Sequence, residues 1–211
     1  MQKHSIIIGI ESSCDDTSIA VLKGNKILAN YVANQEIHTE FGGVVPELAS
    51  RAHQQNIIPV LQKGLKEANC SLADIDAIAY TIGPGLLGSL LVGSSFAKGL
   101  SIGLKKPLVE VNHMKAHILA HFIDDNASTP KFPFLCLTVS GGHTQIVLVK
   151  SALEMEVLGN TLDDAAGEAF DKAAKMMDLP YPGGPLIDRY AKTGNPKAFP
   201  FKVGNIKGYD F

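Results

Sequence analysis

His113 and His117 stand four residues apart in the stretch VNHMKAH, and His121 follows four further on. On a helix, with 3.6 residues per turn, positions i and i+4 share a face, so two imidazoles could grip one divalent ion. Seven histidines scattered over 211 residues give any chosen spacing about 0.2 times by chance. The pair by itself points toward a metal without establishing one. A metalloprotease of the H-E-x-x-H kind needs a glutamate general base beside the first ligand, and Met114 fills that position.

Other stretches offer anion or nucleoside chemistry, each beside a plainer explanation. In SGGHT, residues 140–144, glycines let backbone N–H groups converge on a phosphate, but Gly-Gly also suits a tight hairpin. GPGLLGS, residues 83–89, could expose an anion-binding helix N-terminus or make an ordinary strand-to-helix connection. In TLDDAAGEAFDKAAK, Asp164, Glu168 and Asp171 form a carboxylate stripe able to accept from ribose hydroxyls. The same stripe also reads as a solvated face, with Glu168–Lys172 and Asp171–Lys175 pairs and a Thr161–Asp164 capping box. YPGGPLID, residues 181–188, could lay a flat base against backbone ahead of Asp188, or simply turn the chain. Met176 and Met177 are expected to fill core.

Elements with these motifs at their ends follow from periodicity. SIIIGI, TSIAVL and KILANYVAN read as three strands separated by the turns ESSCDD and KGN. A helix spans PELASRAHQQNIIPVLQKGLKEA, its core face carrying Ala49, Ala52, Ile57, Val60, Leu61 and Leu65. The strand DIDAIAY, the helix LLVGSSFAKGLSIGL and the strand PLVEV lead to the histidines. After DDNASTPKFP the theme returns: FLCLTVSGGHTQIVLV and MEVLGN match the opening meander, and a helix over LDDAAGEAFDKAAKMMDL follows. A repeated unit predicts a duplicated α/β protein of two lobes with a cleft between them. The second copy stops before its later strands and helices, so the chain is expected to be incomplete and inactive alone.

Composition narrows the class. A chain 45% hydrophobic and 19% charged is ordinary for a packed globular protein. A net charge of -2 supplies no global attraction to nucleic acid, so RNA would need a local patch or a partner subunit. Cys14, Cys70 and Cys136 are odd in number and lack C-x-x-C spacing, which argues against a disulfide framework and suits a reducing cytoplasm. The apolar stretch IIIGI, followed at once by ESSCDD, is too short for a signal peptide or membrane span. A soluble protein without a membrane partner is expected.

Together, GIESSCDDTSIAVL, GGVVPELASRAHQQN, YTIGPGLLGSLLVG, VNHMKAH, TVSGGHTQIV, DDAAGEAFDK and YPGGPLID closely resemble the tRNA threonylcarbamoyl-adenosine transferase family (TsaD, formerly Gcp, once called O-sialoglycoprotein endopeptidase). The likeness runs from Ile6 to Phe211. It implies the actin-like, sugar-kinase-like ATPase (ASKHA) fold of two ribonuclease H-like lobes, here residues 1–124 and an incomplete 133–211. It also implies a cytoplasmic enzyme moving a threonylcarbamoyl group from threonylcarbamoyl-AMP to the exocyclic amine of the adenosine 3′ to the anticodon.

Carried over by motif, His113 and His117 resemble the two histidine ligands of one divalent ion, iron or zinc, in a site that an aspartate beyond this segment completes. Thr138, Val139, Ser140, Gly141 and Gly142 look like the loop that meets the adenylate, with Asp171, Gly184 and Asp188 in its nucleoside pocket. His121 takes no role by resemblance, and no residue singles itself out as the catalytic base. The resemblance implies tRNA, a smaller paralogous TsaB-like subunit and a P-loop TsaE-like ATPase as partners. Rival readings are a metal-dependent glycoprotease, which Met114 disfavours, a non-catalytic nucleotide-binding subunit, which should lack the histidine pair, and a sugar kinase of the same fold.

Overall fold

The computed structural model describes residues 5–34, 43–123, 128–201 and 206–211. The expected lobe boundary at residue 124, the opening glycine of GGVVPELAS at 42 and the basic residue at 202 lie outside them. The chain divides into two compact units, Met1–Thr129 and Pro130–Phe211.

In the first unit, β1 (Ile6–Glu11), β2 (Thr17–Lys23) and β3 (Lys26–Ala33) form the expected antiparallel meander. β4 (Ala77–Gly83) adds parallel to β1, and β5 (Leu108–Asn112) adds parallel to β4, giving the order β3-β2-β1-β4-β5. Alternation decides the buried face: Ile8 and Ile10 of β1 and Ile19 and Val21 of β2 are buried. Burying each such side chain stabilises the fold by about 1.5–3 kcal/mol.

Helices α1 (Pro46–Glu67) and α2 (Leu87–Leu104) cover that face. The buried stripe of α1 is Ala49, His53, Ile57, Val60, Leu61 and Gly64. His53 therefore takes a core position that apolar periodicity assigned to its neighbour Ala52. On α2 the buried stripe is Ser89, Gly93 and Ala97. Small residues at steps of four bring this helix against the end of β1, where a Cβ on Gly93 would meet Oγ of Ser12, the residue after the strand, at 2.2 Å. Among the described residues α2 is the one helix with the length and hydropathy of a membrane span. It packs on α1 and β4.

The chain leaves β5 directly into α3 (His113–Leu119), where the Asn112 side chain accepts from Lys115 N at 3.1 Å and caps the first turn. His121 falls in a 3-10 turn beyond the helix and is exposed.

In the second unit β6 (Phe134–Val139), β7 (Thr144–Val149) and β8 (Met155–Asn160) repeat the meander. Residues Tyr209 to Phe211 lie along β8, with Phe211 N donating to Asn160 O at 3.0 Å. Helix α4 runs Ala166–Met176, four residues later than the expected start at Leu162. The delay has a local cause, because Thr161 Oγ1 donates to Asp164 O and Thr144 Oγ1 accepts from Ala166 N. The capping box expected from Thr161 and Asp164 is thus replaced by a cap from β7. Met176 is 87% and Met177 55% exposed, so neither fills core. The buried positions are Ala165 before α4 and Ala174 within it, so methionines at the helix end fall on the solvent side.

YPGGPLID is more than a turn: Gly184–Ala191 is helical, α5, with Pro185 in its first turn. Proline there sacrifices an N–H that has no helical partner anyway.

Candidate functional site

The carboxyl ends of the parallel strands β1, β4 and β5 bring together Glu11, Thr81 and the start of α3. In open sheets with parallel strands, ligand sites gather at such ends. His113 occupies the first turn of α3 and His117 lies one turn on, with their Nε2 atoms 3.0 Å apart. The rings meet edge to face, centroids 4.6 Å apart.

His113 Nδ1 lies 3.1 Å from Glu11 Oε2 and 3.2 Å from Ser13 Oγ. A carboxylate only accepts, so Nδ1 carries a proton, and in a singly protonated ring the lone pair then lies at Nε2. Glu11 is itself held: Oε2 accepts from Thr81 Oγ1 at 2.5 Å, and Oε1 accepts from Ser13 N. Burial pushes the Glu11 carboxyl upward, but hydrogen bonds from His113, Ser13 and Thr81 outweigh it and bring the group down to about 2. It is a carboxylate throughout the physiological range.

The turn carrying Glu11 and Ser13 is clamped from two sides. Leu86 N donates to Ser13 O at 2.7 Å, Ser12 Oγ donates to Ser89 O at 2.9 Å, and Ser89 Oγ donates to Cys14 O at 2.9 Å. The GPGLLGS stretch thus braces the turn. From α1, His53 Nε2 lies 3.0 Å from Cys14 O and Nδ1 2.7 Å from Thr17 Oγ1. A carbonyl cannot donate, so Nε2 carries the hydrogen and Nδ1 accepts from the Thr17 hydroxyl. His53 has no exposed surface.

The histidine pair fits a divalent ion as two of its ligands. Nitrogens at about 2.0–2.1 Å from a tetrahedral ion lie about 3.3 Å apart, close to the 3.0 Å found. A carboxylate on the other nitrogen of His113 is the usual outer partner of a ligating imidazole. Among the described residues no cluster of three or more His, Cys, Asp or Glu side chains completes such a site.

In the second unit the stretch Thr138–Gly142 forms the end of β6 and the turn into β7. The turn is closed by Ser140 N donating to His143 O at 2.9 Å, and Gly167 N donates to Ser140 O at 3.1 Å. A Cβ on Gly167 would sit 2.8 Å from Gly141 Cα, so glycine lets the first turn of α4 abut the loop. Val139, Gly141 and Gly142 are exposed, whereas Thr138 is 8% exposed and its hydroxyl, among the described residues, has no hydrogen-bond partner.

Asp171 lies one helical turn beyond Gly167. Its Oδ1 accepts from Gly183 N at 2.8 Å and Gly184 N at 3.2 Å. The expected Asp171–Lys175 pair gives way to this anchor of the α5 N-terminus, while Lys172 takes up Asp164 and Glu168. Asp188, on α5, is exposed and pairs with Lys192 at 3.4 Å.

Sequence reasoning did not single out Glu11, Ser13, Thr81 or His53. The available signal was an acidic residue at the end of an apolar strand, and a histidine in phase with the core stripe of α1.

Residues 26–211 match the family model described as TsaD, tRNA N6-adenosine threonylcarbamoyltransferase. The chain belongs to the TsaD family. Relatives of that name include one from Riemerella anatipestifer, 64% identical over 210 residues, covering 99% of this chain and 62% of the relative. Another, from Christiangramia forsetii, is 63% identical over 206 residues, covering 97% and 61%. The chain spans about three-fifths of the length of these TsaD relatives. A ROK hexokinase from Thermus thermophilus superposes with a TM-score of 0.52 at 18% identity, covering 91% of this chain and 71% of that one. At that identity the likeness bears on the fold alone, which is of the actin-like, sugar-kinase-like class expected for TsaD.

Proposed function

We propose that this chain is the part of a tRNA N6-adenosine threonylcarbamoyltransferase that carries the histidine pair and the adenylate-binding turn. The reaction would move threonylcarbamoyl from threonylcarbamoyl-AMP to the exocyclic amine of the adenosine 3′ to the anticodon. The observation that carries this reading is the convergence of His113 and His117 Nε2 at 3.0 Å, with Glu11 on the far nitrogen of His113, in a chain of the TsaD family.

One divalent ion, iron or zinc, would be held by His113 and His117 and, when bound, supplies a Lewis acid able to polarise the carbamoyl oxygen. The chain's own groups do the rest of the binding. The Ser140–Gly142 backbone beside the N-terminus of α4 would take the phosphate of the adenylate. The Thr138 hydroxyl, without a partner among the described residues, supports a polar ligand at this turn, since a buried hydroxyl costs about 1–3 kcal/mol while unpaired. Asp171 would orient the nucleoside, with Oδ1 fixing Gly183 and Gly184 and Oδ2 accepting from a ribose hydroxyl. Asp188 would have to leave Lys192 to contribute.

tRNA, the TsaB-like paralogue and the TsaE-like ATPase are the partners of this reading, and the cytoplasm is its place. Arg189, Lys192, Lys197 and Lys207, with the basic residue at 202, would make a minor tRNA contact. With a net charge of -2, tRNA binding by this chain alone should be weak and steeply salt-dependent.

The test is threonylcarbamoyl transfer to tRNA by the full-length protein with its partner subunits, alongside metal analysis. His113→Ala should abolish both bound metal and transfer while the unfolding midpoint stays close to that of the parent. Undiminished transfer, or stoichiometric metal on ligands that omit either histidine, would overturn the reading.

A further inference from the structure

We infer that Glu11 is the positioning carboxylate of the histidine pair: it keeps the His113 proton on Nδ1 and thereby turns the Nε2 lone pair toward His117. The inference rests on the reading of His113 and His117 as ligands of one cation, and it concerns a residue 102 positions away from the ring it steers.

Two neighbours compete for His113 Nδ1. Glu11 Oε2, at 3.1 Å, can only accept, whereas Ser13 Oγ, at 3.2 Å, can accept or donate. If the Ser13 hydroxyl donated to Nδ1, the ring proton would move to Nε2 and the lone pair facing His117 would be lost. The carboxylate decides the contest, because a proton on Nδ1 satisfies it and a lone pair there would repel it. Nor can it swing aside. Oε1 is committed to Ser13 N, Oε2 also accepts from Thr81 Oγ1 at 2.5 Å, and Thr81 is buried on the neighbouring strand β4.

With His113 Nε2 a lone pair, the 3.0 Å contact requires the hydrogen to come from His117 Nε2. A cation would replace that hydrogen and meet two lone pairs aimed at one point. Outer carboxylates of this kind change metal affinity about 10–100-fold.

Glu11→Gln tests the assignment, because an amide offers one acceptor oxygen where Ser13 N, Thr81 Oγ1 and His113 Nδ1 all seek acceptors. The full-length protein labelled with 15N-histidine would be read by long-range ring 15N–1H correlation without metal, and by calorimetric titration with Zn2+ alone. In the unaltered chain His113 should show the Nδ1–H form. Glu11→Gln should raise the Nε2–H form and weaken Zn2+ binding about 10–100-fold. Ser13→Ala removes only the competing hydroxyl, so it should keep both the Nδ1–H form and the affinity, and it serves if Glu11→Gln fails to fold.

An Nε2–H form at His113 in the unaltered chain would overturn the inference. So would a folded Glu11→Gln chain with unchanged tautomer and affinity, or loss of the Nδ1–H form in Ser13→Ala. If the full-length protein takes up no Zn2+, the metal reading fails on its own, and the tautomers still decide for or against Glu11.

Discussion

A Cβ on Gly85 would lie 2.4 Å from the carbonyl oxygen of Ser13 and 2.7 Å from its Cβ. That contact sets how closely the loop before α2 approaches the turn after β1. Gly85→Ala must push the two apart, and should cost about 1–3 kcal/mol in urea unfolding. Because Ser13 N donates to Glu11, the same variant should also broaden the His113 ring signals. Parental stability together with parental ring signals would show that the loop yields freely.

His53 clamps the same turn from α1. His53→Leu keeps an apolar side chain in the space but leaves the Thr17 hydroxyl without its imidazole acceptor and the Cys14 carbonyl with Ser89 Oγ as its remaining donor. A loss of about 2–4 kcal/mol is expected in denaturant unfolding. His53→Gln, which retains a donor and an acceptor, should recover part of it. If leucine proves as stable as histidine, the two hydrogen bonds contribute nothing to the clamp.

Asp171 separates anchoring from charge. Asp171→Ala frees the Gly183 and Gly184 amides, whose hydrogen exchange should quicken by about an order of magnitude. Asp171→Asn keeps an acceptor oxygen and should leave exchange near parental. In the full-length protein Asp171→Ala should weaken adenylate binding by about 1.5–3 kcal/mol, read by calorimetry. Parental affinity would confine the residue to holding the N-terminus of α5.

Cys14 should be slow to alkylate. Burial, then the neighbouring Asp15 and Asp16, push its thiol from an ordinary 9.0 up to about 12. Because the residue as a whole is exposed, water offsets part of this. Iodoacetamide at pH 8 is therefore expected to react about tenfold to a thousandfold more slowly than with the unfolded chain. The linked stability is complete below the unfolded value near 9.0 and fades as pH rises toward 12, because only the unfolded chain sheds the proton early. Labelling as fast as in urea would contradict the shift.

Read from sequence alone, the two meanders, most of the α1 stripe, the helix α2 and the i,i+4 histidines were already in place. Each depends on residues a few positions apart: strand alternation, helical phase and turn chemistry act within one element, so local order is enough to write them. The start of α4 and the existence of α5 were not legible in the same way. Thr144 caps the first helix from a different strand, and Asp171 supplies acceptors to the amides of Gly183 and Gly184 from the helix before. Tertiary structure alone decided that Glu11 meets His113, that Thr81 braces Glu11 and that His53 is buried. These polar partners lie 102, 70 and 36 positions apart in the chain. A strand sequence states which face is apolar, but the neighbour at its end depends on the order β3-β2-β1-β4-β5, which is settled by packing all five strands against α1 and α2. Buried polar groups then take whichever partner that packing brings within hydrogen-bond reach, because leaving them unpaired costs more than any local preference supplies.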